Sequence, residues 1–211
     1  MLLSITLHEY GHALMAKALG GNCHAIILDG LGGLAFCTRF TPDNPGKTGS
    51  HNCSSILVSI AGPTMNAIQA LLLAWDLSYG GYFNGGLLPD LPYVNEPNPL
   101  WWYFIYMSFI LELLNIALNV LPVIPGTDGS HILQSFFRCC GISEVKLYPY
   151  AWGVNFLCTL VVIVYMVMMK VEFLSILWVV LLWYVFGKQE HTHWLAIQTG
   201  GPRQANEPMT L

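Results

Sequence analysis

The sequence predicts an all-α polytopic membrane protein, on three observations. The 211 residues are 55% hydrophobic and only 9% charged, too little charge to cover a water-facing globule of this size. Three stretches, Ser54 to Leu77, Leu100 to Leu121 and Ala151 to Met169, reach the roughly 20 mostly apolar residues a bilayer crossing needs. Two shorter apolar stretches, Leu2 to Leu19 and Phe173 to Gly187, complete a set of about five transmembrane or membrane-embedded helices. This hydropathy excludes a soluble enzyme and implies an integral, multi-pass protein whose surroundings are the lipid bilayer.

Taken in order, the five segments leave Lys17, Arg39, Lys47, Arg138, Lys146, Lys188 and Arg203 on one side and Lys170 on the other, so the first side is cytosolic by the positive-inside rule. The connection from Tyr79 to Pro99 holds no Lys or Arg and is rich in Gly and Pro, which suits the opposite face. Lys170 to Glu172 must make a tight hairpin between the last two segments. No Gly or Pro marks it, and one continuous helix from Ala151 to Gly187 is the alternative. No internal repeat is visible, so the chain divides into a membrane domain, 1–188, and a polar tail, 189–211. The net charge of −4 is small and dispersed, which gives no reason to expect a nucleic-acid partner. Six cysteines without CxxC spacing indicate neither a zinc knuckle nor a regular disulfide framework.

The first segment carries His8, Glu9, Tyr10, Gly11 and His12, an HExxH motif. Imidazoles four residues apart lie on one helical face about one turn apart, close enough to bind a single tetrahedral zinc, one per chain. Glu9 lies beside that face, placed to take a proton from a metal-activated water and pass it to the leaving amine. Ionisable groups at membrane depth are costly and mark function, which weighs against a chance cluster.

A catalytic zinc usually takes a third protein ligand. Glu112, in the third long segment, and Asp128, just after it, are the acidic candidates. Asp128 follows Asn119, Pro122, Pro125 and Gly126 and precedes Gly129. The prolines end the helix and force irregular backbone, which survives at membrane depth only when buried in protein or lining a wet cavity. Read by itself, Asp128 also suits an Asp-Gly turn or a helix N-cap. Glu112, Asn115 and Asn119 form a polar stripe on an otherwise apolar helix and face the same cavity. His131 is a further ligand candidate or a partner of Asp128, and His191 and His193 have the spacing of a weak chelate in the tail.

HExxH, then Gly62, Pro63 and Asn66 in the second long segment, then the Asn119, Pro122, Asp128, Gly129 run, resembles the site-2 protease family of intramembrane zinc metalloproteases, over residues 1 to about 135. The resemblance implies Asp128 as third ligand and puts Asn66 near the active site, either as a donor to the substrate carbonyl or its oxyanion or as a packing residue beside a Gly-Pro kink. It also implies a small β-like insertion after the HExxH helix, at Ile26 to Phe40, where Gly30, Gly32 and Gly33 interrupt an apolar run. An exposed strand edge there would pair with an unwound substrate. Three departures stand out: seven residues precede His8 where most members have a further helix, one extra residue separates the prolines from the aspartate, and no PDZ or nucleotide-sensing domain is attached.

The sequence thus points to a zinc-dependent intramembrane endopeptidase acting on membrane-anchored proteins, with Glu9 and Asn66 in catalysis and His8, His12 and Asp128 on the metal. Two rivals are a non-catalytic membrane scaffold that keeps the zinc site, and a transporter or channel using intramembrane Glu112. The absence of an inverted repeat opposes the latter.

Overall fold

The HExxH segment forms helix α1 (Leu2–Ala18). Ser4, His8, His12 and Ala16 recur every four residues and are all buried, so a single face of α1 turns inward and carries the motif with it. Gly20, at φ 93°, closes the helix in a left-handed turn: the Gly21 N–H donates to Ala16 O at 2.9 Å and the Gly20 N–H to Lys17 O at 3.1 Å. In this computed structural model residues 2–28, 33–37, 40, 43–83, 86, 88–90, 99–171, 173–198 and 209–210 are described. Gly30, Gly32, Arg39, Glu172, Arg203 and positions 84–85, 87 and 91–98 of the long connection lie outside the described residues.

The expected β-like insertion is an antiparallel hairpin, β1 (Cys23–Leu28) and β2 (Gly33–Cys37), as long as the Ile26 to Phe40 run that suggested it but starting and ending three residues earlier. A disulfide joins Cys23 to Cys37 at its open end, a pairing the cysteine spacing did not suggest. A two-residue strand, β3 (Met209–Thr210), pairs antiparallel with β2 at Phe36 and Cys37, so that part of the edge is taken by the chain itself. Ala35 and Cys37 of β2 pack with Ala16, Leu19, Phe40 and Val58, a small core that seats the hairpin on α1.

Helix α2 (His51–Tyr79) starts at Ser50, whose side chain accepts from the Cys53 N–H, and passes through Pro63 without ending. Val58, Gly62, Asn66 and Ala70 recur every four residues along its buried face. Val58 belongs to the core under the hairpin, whereas Ala70 and Leu77 join Tyr82, Ile105 and Phe109 in a second core against α3 (Pro99–Val120). The polar middle of the stripe, Gly62 and Asn66, lies between the two apolar ends. After α3 come α4 (Asp128–Cys139), α5 (Glu144–Met168) and α6 (Phe173–Gln198). Lys170, at φ 55°, occupies the left-handed region and breaks the chain between α5 and α6, so two helices stand where one continuous helix was the alternative.

Among the described residues, three helices are long and apolar enough to cross a membrane: His51–Tyr79, Leu100–Val120 and Lys146–Met168. They coincide with the three long apolar stretches of the sequence. The other two expected crossings are shorter. Helix α1 has 17 residues, about 26 Å at 1.5 Å per residue against a hydrocarbon core of about 30 Å, and the apolar stretch that opens α6, Phe173 to Gly187, is likewise short of the roughly 20 residues a crossing needs. Leu71, Trp75, Leu100, Val161 and Met168 are exposed on the outer faces, as lipid-facing side chains would be.

Candidate metal centre

Three donors converge where α1 meets the start of α4. His8 Nε2 lies 3.1 Å from His12 Nε2, Asp128 Oδ2 lies 3.1 Å from His8 Nε2, and Asp128 Oδ1 lies 3.3 Å from His12 Nε2. All three residues are buried. A tetrahedral zinc with ligand distances of about 2.0–2.1 Å holds its donor atoms about 3.3 Å apart, so the observed triangle has the size of one face of that tetrahedron.

The protonation of the imidazoles strengthens this reading. His12 Nδ1 lies 2.7 Å from the carbonyl oxygen of Val58, which only accepts, so Nδ1 carries the proton and Nε2 offers a lone pair. His8 Nδ1 is bonded to Asn66 Oδ1, which likewise only accepts. Two lone pairs and a carboxylate therefore face one point with no donor among them, and Asp128 Oδ2 has no hydrogen-bond partner. Such a set is stable around a cation.

The residues that place Asp128 are those of the proline run. Helix α3 ends at Val120, and Val123, Ile124 and Pro125 of the irregular segment that follows are buried. Asp128 is the first residue of α4, with Thr127 as N-cap and Gly126 at φ 79° before it. Its side chain is therefore neither a cap nor a turn ligand. A Cβ built on Gly129 would lie 2.6 Å from the carbonyl oxygens of both Val120 and Leu121, so the start of α4 rests backbone to backbone on the end of α3. On the far side of α4, Asn155 of α5 donates to Ser130 at 3.0 Å.

Glu9 is buried under β2, and the Ala35 backbone N–H donates to its carboxylate. Its Oε2 has no hydrogen-bond partner. Gly33 is the close approach that makes room: a Cβ there would lie 2.5 Å from Glu9 Cγ and 2.8 Å from Oε1. Gly11, inside the HExxH motif, serves the same purpose against α2, where a Cβ would lie 2.6 Å from the Ala61 carbonyl oxygen. Sequence reasoning gave Gly11 no role and read Gly33 only as a break in an apolar run, because close approach leaves no trace in hydropathy.

Asn66 is brought to His8, and both of its amide hydrogens have partners: Nδ2 donates to Glu112 Oε2 at 2.6 Å and to Ser4 Oγ at 3.2 Å. Donation to an oxyanion would require one of these bonds to open. Glu112 is buried and bonded to Asn66, outside the group of His8, His12 and Asp128 whose ligand atoms lie within 4.8 Å of one another. His131 is also outside that group. His191 stacks against Trp194, with ring centroids 5.7 Å apart, and the side chain of His193 lies outside the described residues.

The chain is similar to a curated zinc metalloprotease of Methanocaldococcus jannaschii, with 25% identity over 140 residues, 64% of this chain and 32% of that relative. It therefore spans about a third of the relative's length. No family model and no solved structure matches the chain. The likeness is consistent with a metalloprotease and, together with the His8, His12 and Asp128 group, suggests zinc.

Proposed function

We propose that the chain is a zinc-dependent endopeptidase of the site-2 protease type, hydrolysing peptide bonds of membrane-anchored proteins within or beside the bilayer. The observation that carries the proposal is the convergence of His8, His12 and Asp128 next to a buried glutamate with an unpartnered oxygen, in a chain with three helices able to cross a membrane. His8 Nε2, His12 Nε2 and the Asp128 carboxylate would hold the ion. Zinc bound there supplies Lewis-acid polarisation of a carbonyl and brings the pKa of water down to about 7.

The chain's own residues do the rest. Glu9 accepts a proton at its free carboxylate oxygen and returns it to the amine nitrogen as the peptide bond breaks. Ala35, through its N–H, and Gly33, by its missing side chain, keep that carboxylate in place. Val58 and Asn66 hold the two imidazoles with their Nε2 lone pairs inward. A transmembrane substrate must first be locally unwound, since helical hydrogen bonds shield its peptide groups.

The test is cleavage in liposomes of a single-span substrate whose helix is weakened by Gly and Pro, comparing wild type with Glu9→Gln. Wild type with zinc should cut, and Glu9→Gln should keep its zinc while losing about 10²–10⁴-fold in rate. An active Glu9→Gln protein would overturn the assigned base. A zinc-loaded wild type that never cuts would leave a non-catalytic membrane scaffold as the function.

A further inference from the structure

Glu112 is a buried carboxylate on a helix long and apolar enough to cross a bilayer, and the chemistry derived so far does not use it. Ionisable groups there are costly and need a reason. Its contacts form a single line of hydrogen bonds. Glu112 Oε2 accepts from Asn66 Nδ2 at 2.6 Å, and Asn66 Oδ1 is bonded to His8 Nδ1. Ser4 adds a second acceptor for Asn66 Nδ2 at 3.2 Å and itself receives Asn115 Nδ2 at 3.4 Å, so α1, α2 and α3 meet in this network.

The direction of every bond follows from the carboxylate. Glu112 Oε2 is the acceptor, so the Asn66 end facing it is the NH2 group. The amide is planar, so its oxygen then faces His8. That oxygen only accepts, so His8 Nδ1 must carry the proton, and Nε2 is left as a lone pair toward His12 and Asp128. Were the amide flipped, its NH2 group would face His8 Nδ1, favour the tautomer protonated on Nε2, and remove one of the three donors. Asparagine alone can turn either way; the carboxylate decides.

We infer that Glu112 is a positioning residue, which acts through Asn66 to set the tautomer and ring orientation of His8 and so tightens metal binding. It is not a third ligand. The inference rests on the metal-site reading above. Outer partners of this kind are typically worth 10–100-fold in metal affinity.

The experiment is zinc affinity of the full chain purified in detergent, measured by competition with a chelating indicator. It compares wild type, Glu112→Met, Glu112→Gln, Asn66→Leu and the Glu112→Met, Asn66→Leu double variant. Met keeps the volume and removes the acceptor, whereas Gln keeps an acceptor oxygen. Glu112→Met and Asn66→Leu should each weaken zinc about 10–100-fold while still binding near one zinc at saturation. The double variant should be no weaker than the weaker single variant, since the two act in series. Glu112→Gln can donate as well as accept and so no longer fixes the Asn66 amide; it should fall between wild type and Glu112→Met, and it keeps the test decisive if Glu112→Met does not fold, because wild-type affinity in Gln contradicts the need for a group that only accepts. Unchanged affinity in Glu112→Met, multiplied losses in the double variant, or lost stoichiometry at saturating zinc would each overturn the inference. A wild type that binds no zinc would overturn the metal-site reading itself, which keeps the two failures apart.

Discussion

Gly62 of α2 faces His8 so closely that a Cβ built on it would lie 2.6 Å from the His8 Nε2 atom and would also collide with Nε2 of His12. The missing side chain keeps open the space in front of the two lone pairs. It lies midway between Val58 and Asn66, which hold those imidazoles from behind. The spacing of four residues puts all three on one face of α2, so a single helix both fixes the ligands and clears the ground before them.

Gly62→Ala should therefore abolish stoichiometric zinc binding with little loss of helix content. Zinc per chain and circular dichroism measured on one preparation check this. Zinc near one per chain in the variant would show that the imidazoles have room to move away.

Asp128→Ala should remove metal binding outright, because it deletes one of the three donors. Saturating zinc should not restore it, in contrast to Glu112→Met. Titration of both variants to high zinc separates a ligand from a residue that only orients one.

Gly33→Ala should act on turnover and leave the metal alone. The three atoms nearest its Cβ would all belong to Glu9, with Cγ at 2.5 Å and Oε1 at 2.8 Å. The expected outcome is normal zinc content with cleavage reduced about 10²-fold or more, since a displacement of the order of 1 Å at a reacting group can cost that much. A variant cutting at the wild-type rate would show that Glu9 has other ways to reach its proton.

Gly129→Ala should destabilise the fold and weaken zinc together. The added methyl meets backbone oxygens of Val120 and Leu121 at 2.6 Å, atoms that cannot rotate away, so α4 must shift and take Asp128 with it. A penalty of about 1–3 kcal/mol is the usual cost of overpacking. Thermal unfolding in detergent with and without zinc reads both effects.

Alkylation of unreduced, denatured protein should label Cys53, Cys139, Cys140 and Cys158 but not Cys23 or Cys37. Were all five apolar segments to cross, the Lys and Arg distribution would put this hairpin on the cytosolic side, where thiols are normally kept reduced, so the disulfide and that topology call for opposite environments. Labelling of all six would favour the charge asymmetry and leave the hairpin to its backbone ladder and its packing on Ala16 and Val58.

The sequence by itself determined what depends on neighbours along the chain. Two histidines four residues apart share a helical face whatever the fold, long apolar runs become membrane-length helices, and prolines end α3 at Val120 wherever the following loop goes. The tertiary structure decided everything that depends on distance across helices. Asp128 and Glu112 are both acidic residues in or just after the third long apolar stretch, and only the seating of α4 on the end of α3 turns the first toward His8 and His12 while Asn66 takes up the second. The roles of Gly11, Gly33, Gly62 and Gly129 were equally hidden, because a glycine that permits close approach has no periodicity and no charge, and its partner lies on another element. The same holds for Cys23 and Cys37, which meet because the β1 and β2 register pairs them and not because of their spacing. Local geometry is written in the order of residues, but contact between elements is set by how their surfaces pack.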